Sequence, residues 1–75
     1  MLKLHYMNDY FEFWADVESD RTAAELYDVI DQACGAWEID FDGNDGESDF
    51  TPEEFVLIEL EEAGCRILGY NSARI

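Results

Sequence analysis

The stretch AWEIDFD, Ala36–Asp42, alternates strictly: Trp37, Ile39 and Phe41 fall on one side, Glu38, Asp40 and Asp42 on the other. Period two marks a half-buried strand, because successive side chains point to opposite faces. Gly35, just before it, suits the position after a helix C-terminus, where glycine accepts the left-handed conformation at no steric cost. The reading therefore places a helix before 35 and a strand after it. A helical 36–41 would break the scheme.

Outward from that strand, the flanking segments carry clearer signals. LKLHYM sets Leu2, Leu4 and Tyr6 against Lys3, His5 and Met7, and YFEFWADV sets Phe11, Phe13, Ala15 and Val17 against Tyr10, Glu12, Trp14 and Asp16. Asn8-Asp9 between them is a turn signal, which predicts a hairpin, with one long bent strand as the alternative. Thr22 and Glu25 have capping-box spacing, with Asp20 as a rival cap. Ala23, Leu26, Tyr27, Ile30 and Ala33 follow at helical spacing. Thr51, Pro52 and Glu54 open a second helix, which runs to Gly64. CRILGY reads as a last strand. The order ββαβαβ predicts a single α+β domain, a small two-layer sandwich with a three- or four-stranded sheet and two helices on one face. Helices are expected near 22–34 and 52–63. Leu4, Phe13, Leu26, Ile30, Ile39, Phe41, Leu57, Leu60 and Ile67 are the expected core.

Charge is the anomaly. Nineteen acids against four basic residues give a formal net charge of −15 on 75 residues. Between Arg21 and Arg66 lie fourteen acids and no Lys or Arg. Solubility needs only a net charge of about 2–8 in a small domain, and excess like charge destabilises the compact state. With 48% hydrophobic residues the chain is too apolar for a disordered acidic tail. It has no apolar run long enough to span a membrane, and its N-terminus reaches Asp9 too early for a signal peptide. A cytoplasmic protein is expected. Cys34 and Cys65 match no metal or redox spacing and read as reduced core residues, with a disulfide as the alternative.

FDGNDGESDFTPEEF, residues 41–55, invites a calcium reading. An EF-hand loop needs ligands at positions 1, 3, 5, 7, 9 and 12 and glycine at 6. Counting from Asp42 puts Glu53 at 12 but Glu47 at 6; counting from Asp40 puts Asp45 at 6. The entering segment also reads as a strand. No metal or cofactor is expected, and Thr-Pro-Glu-Glu is explained by helix capping. No nucleophile set or phosphate loop is present, and His5 reads as a strand residue, so no enzyme is expected. Trp14 and Trp37 could stack on a sugar or a base, but core packing is the better reading. Direct nucleic-acid binding lacks the necessary cations.

The remaining partner class is cationic protein, above all protein that itself binds nucleic acid. On a strand, Glu38, Asp40 and Asp42 would stand about 6.6 Å apart, a pitch resembling phosphates along one strand. Asp45, Glu47 and Asp49 would extend that edge, and Glu25, Asp28 and Asp31 would form a second row on the first helix. In size, charge and acid spacing the chain resembles the acidic DNA-mimic inhibitors of phages and mobile elements, which include anti-restriction and anti-CRISPR proteins. Trp14-Ala15-Asp16, the acidic helix and WEIDFDG at 37–43 resemble the ArdA antirestriction family. The resemblance implies occupation of the DNA- or RNA-binding channel of a host nuclease or surveillance complex; a monomer or homodimer is expected. The alternatives are a small acidic domain of a halophile and a degenerate calcium-binding module.

Overall fold

The computed structural model describes residues 1–43 and 50–75. Its elements are β1 (Leu2–Met7), β2 (Phe11–Glu18), α1 (Ala23–Gly43), α2 (Pro52–Glu62) and β3 (Arg66–Arg74). The three strands form one antiparallel sheet in the order β1-β2-β3. The α+β class is as expected. The ββαβαβ order is not, because residues 36–43 continue α1.

The reason is a coincidence of periods. Leu26, Ile30, Ala33, Cys34 and Trp37 are the buried residues of α1, and Phe41 follows four residues on. This spacing holds the 3.6 period straight through Gly35. Trp37 and Phe41 satisfy both periods; Ile39 satisfies only the strand pattern, and it is 76% exposed. Gly35 meets nothing within 4 Å where a Cβ would stand. It weakens the helix by about 1 kcal/mol relative to alanine without ending it. The positive φ that marks a true stop is at Gly64, +91°. There the Cys65 N–H reaches Leu60 O at 3.0 Å and the Gly64 N–H reaches Glu61 O at 3.0 Å. This is the Schellman pairing that satisfies two of α2's last carbonyls.

The other local signals act as expected. Asn8 closes the β1–β2 hairpin: its Oδ1 accepts from Tyr10 N at 3.0 Å and Phe11 N at 2.9 Å. Thr22, rather than Asp20, caps α1 by accepting from Glu25 N at 3.2 Å. Thr51 caps α2 by accepting from Glu54 N, with Pro52 following. Arg21 joins the two helices, donating from Nε to Ala63 O at 2.8 Å beyond the end of α2.

Both helices pack on one face of the sheet. Leu4, Phe11, Phe13, Ala15 and Val17 meet Leu26, Ile30, Ala33 and Cys34 of α1 and Val56 and Leu60 of α2. Cys34 and Cys65 are both buried free thiols. Leu57 and Ile67 are half-buried against the core, and Phe41 packs on Trp37 with ring centroids 5.0 Å apart. Of the expected core only Ile39 faces solvent.

The helical reading of 36–43 has a direct consequence. Ile39→Ala should change stability by no more than about 0.5 kcal/mol, as for an exposed site. Trp37→Ala should cost about 3–5 kcal/mol. Denaturant melts of the two variants decide it. In a strand the two side chains share a buried face, so similar large losses would overturn the helix.

Candidate functional site

The chain's charges are sorted between the two layers. α1 carries Glu25, Asp28, Asp31, Glu38, Asp40 and Asp42; α2 carries Glu53, Glu54, Glu59, Glu61 and Glu62; neither has a Lys or Arg. The strands carry Glu12, Asp16 and Glu18 against Lys3, Arg66 and Arg74, and so balance. The helix layer is therefore a concentrated negative surface and the sheet is near neutral.

The expected acidic strand edge does not exist in the form the sequence suggested. Glu38 and Asp42 stand four residues apart on one face of α1, while Asp40 lies on the other flank, because residues two apart on a helix point away from each other. Asp45, Glu47 and Asp49 lie outside the described residues. A different row replaces that edge. At 100° per residue, Asp28, Asp31, Glu38 and Asp42 fall within an arc of about 80° on one flank of the helix, beside the buried stripe, along about 21 Å of helix axis. All four are exposed. Glu25 is set apart by its local work: it accepts from the Thr22 hydroxyl at 3.2 Å and lies 3.6 Å from Arg21. The α2 acids belong to the same layer. Sequence reasoning saw them in the uninterrupted acid run but did not place them in the site. Their common helical spacing with Val56 and Leu60 was the available signal.

Several side chains hold this layer in place. The Tyr6 hydroxyl of β1 donates to Asp31 at 2.8 Å. Burial and that carboxylate push the Tyr6 phenol up to about 12. Tyr10 donates to Cys34 O at 3.2 Å, and burial pushes its phenol up as well. Trp37 donates from Nε1 to Phe50 O at 2.8 Å, which ties the chain just before α2 to the end of α1. Glu53 of α2 accepts from the Ser72 hydroxyl of β3. Burial pushes the Cys34 thiol up to about 11, so it stays protonated at neutral pH and is a poor nucleophile.

The outer sheet face is the other accessible surface. His5 stacks on Trp14 with centroids 5.3 Å apart, and its Nε2 lies 2.7 Å from Glu12 Oε2. Trp14 is 37% exposed there, so the core reading of this tryptophan is wrong, while Trp37 is buried as expected. The missed signal was in β2 itself, whose alternation already put Trp14 with Glu12 and Asp16. Around these rings the surface is a shallow depression lined also by Lys3 and Asn71.

Calcium loses one of its counterarguments, because the segment entering the Asp-rich stretch of sequence is helical and α2 begins at Pro52. The glycine and ligand spacing still disagree with an EF-hand. No group of His, Cys, Asp or Glu among the described residues is placed to hold a metal ion. No helix among them is long and apolar enough to cross a membrane. No family model, curated protein or solved structure matches the chain.

This charge distribution opposes stability at the helix ends. The C-terminal turns of α1 and α2 contain no basic residue, although a helix C-terminus favours cations. Asp42→Lys should therefore raise stability by about 0.3–1 kcal/mol at low salt, less at high salt. A thermal melt of this variant that shows destabilisation would mean that Asp42 makes a favourable contact within the fold.

Proposed function

We propose that the chain is an acidic inhibitor whose helix-layer carboxylates stand in for nucleic-acid phosphates. It occupies the DNA- or RNA-binding site of a host defence nuclease or surveillance complex, of the anti-restriction or anti-CRISPR kind, in the host cytoplasm. One observation carries the reading: eleven acids lie on the two helices with no cation among them, while the strands balance their charges. A charge excess used only for solubility has no reason to be sorted by layer. The partner's Arg and Lys would meet Asp28, Asp31, Glu38 and Asp42, and the exposed acids of α2, as they meet phosphates. The protein contributes no chemistry to this function. Its work is steric and electrostatic.

The test uses the triple variant Asp28→Lys, Glu38→Lys, Asp42→Lys. Nucleic-acid-binding proteins retained from host lysate by the parent should be released by added duplex DNA or RNA and by salt, since each exposed charge pair is screened. The triple variant should keep its helical circular dichroism and retain none of them. Equal retention by a folded triple variant would remove the helix layer as the interface. Retention only of proteins without a nucleic-acid site would end the mimic reading. The same spectra at low ionic strength test the halophile alternative, because a halophilic domain unfolds there as its self-repulsion goes unscreened.

The Asp-rich sequence between two helices, α1 ending at Gly43 and α2 beginning at Pro52, favours one second reading, a divergent calcium module. Titration calorimetry with millimolar calcium decides it. The mimic reading expects no heat and an unchanged melting temperature, and saturable binding with a raised melting temperature would replace it.

A further inference from the structure

The sheet has two edges, and they are treated differently. On the β1 edge, the backbone N–H of His5 donates to the Tyr27 hydroxyl of α1 at 3.0 Å, and the Tyr6 hydroxyl reaches Asp31 beside it. α1 thus occupies the central outward N–H of this edge. The β3 edge is nine residues long, and no described strand pairs with its outer side. Unprotected edges of this length recruit another strand unless the protein blocks them.

The outward groups can be named. Ile75 N donates to Tyr10 O at 2.9 Å, which fixes the phase of the antiparallel ladder. Ala73, Asn71 and Gly69 then bond to β2, and Tyr70, Ser72 and Arg74 turn their N–H and C=O outward. Ser72 agrees with this phase: its N–H donates to the Asn71 side-chain oxygen at 3.0 Å, a bond that pairing would exchange for one to a neighbouring strand.

We propose that β3 pairs antiparallel with β3 of a second copy about a two-fold axis at Ser72, forming a continuous six-stranded sheet. This register sets Ser72 against Ser72 and Tyr70 against Arg74 of the second copy. It matches outward groups with outward groups and stays within the regular stretch. A register centred on Tyr70 would cross the irregularity where Asp16 pairs Gly69 but Val17 pairs Ile67. It would also set Arg66 against Arg74 of the second copy, and like charges directly opposite are destabilising.

Charge selects a second copy as the occupant. Two chains of net charge −15 repel each other almost everywhere. β3 contains Arg66 and Arg74 and no acid. Of the α2 acids, Glu53, on Ser72, and Glu61, beside Tyr70, border it, so two copies approach here with least repulsion once salt screens those carboxylates. Arg74, whose guanidinium lies over Trp37 at 5.2 Å, would have the Tyr70 ring of the second copy as its cross-strand neighbour rather than a like charge. Tyr70 is 53% exposed beside a groove lined by Leu57, Glu61 and Ile67, and the paired strand would stand against it; Leu68 lies just outside the paired stretch. The two-fold axis is normal to the sheet, so both helix layers lie on the same side.

The inference stands apart from the inhibitor reading, and its salt dependence has the opposite sign. Cationic partners dissociate as salt rises. Self-association should strengthen, because salt screens the repulsion between copies. Sedimentation of the full chain should show monomers at low salt and dimers near 1 M salt, where the screening length falls to about 3 Å. Ser72→Pro removes one outward N–H and leaves the β2 ladder intact; it should stay monomeric at every salt concentration. Tyr70→Lys, which sets Lys against Arg74, should do the same and covers the case in which the proline variant fails to fold. Amide exchange gives the register: Asn71 and Ala73 slow throughout, Tyr70, Ser72 and Arg74 slow only in the dimer. A parent chain that remains monomeric near 1 M salt at submillimolar concentration overturns the proposal, as does a dimer that survives both substitutions. Protection of Tyr70, Ser72 and Arg74 only on adding a different protein would assign the edge to a foreign strand and overturn it as well.

Discussion

Trp37 is the contact on which the arrangement of the layers depends. It stands at the point where α1 passes from the sheet-covering part to the part that leads toward α2. Its ring packs on Tyr10 at 5.2 Å and Phe41 at 5.0 Å, and the Arg74 guanidinium lies 5.2 Å from its centroid. Its indole N–H reaches the Phe50 carbonyl. One side chain therefore touches the hairpin turn, both ends of the connection between the helices, and the last strand. Large aromatics bury enough area to dominate a small core, and the indole N–H needs a partner once buried. The helical phase of 36–43 follows: only a helix puts Trp37 on the line of Ile30 and Cys34 while turning Ile39 and Glu38 out.

The core has to withstand the electrostatics. Aligned peptide dipoles make helix C-termini negative, yet α1 ends with Asp40 and Asp42 in its last turn and α2 with Glu61 and Glu62. One cation is spent on this problem, Arg21, at the carbonyl of Ala63 and beside Glu25. Arg66 pairs with Glu18 across the sheet at 3.7 Å, in an exposed position where such a pair contributes little. A sequence optimised for stability alone would move cations onto the helices. Their absence there is the physical reason to look for a function in the helix layer.

Most of the fold was legible where one signal was local and unambiguous. The β1–β2 hairpin followed from two period-two runs around Asn8, and α2 from Thr51, Pro52 and Gly64. The error at 36–42 arose where two periods share Trp37 and Phe41, and where Gly35 was read as a stop although nothing there requires a positive φ. The tail of β3 was hidden for another reason: Asn71 to Arg74 form an edge with little buried apolar pattern, held by pairing with β2 and by the contacts of Ser72 with Glu53 and Arg74 with Trp37. The acidic site was legible in composition and not in geometry. The identity of the acids is in the sequence, but their grouping changed when a strand became a helix. Asp28 and Asp31 joined Glu38 and Asp42, and Asp40 left the row.

Sorting the charges by layer also separates two kinds of association in space. Most carboxylates on the helices are exposed to solvent, and only Asp31 and Glu53 bond back to the sheet, through Tyr6 and Ser72. The outward backbone groups of β3 lie in the plane of the sheet and point sideways. A strand added at that edge extends the sheet without covering Asp28, Asp31, Glu38 or Asp42. If the strand belongs to a second copy, the two-fold axis sets two helix layers side by side and lengthens the negative surface instead of dividing it. Had the acids been on the strands, as the alternation of 36–42 first suggested, the same edge pairing would have brought rows of carboxylates into register and opposed itself. Moving the charge onto the helices removes that conflict, because the element that pairs is then the one free of acids.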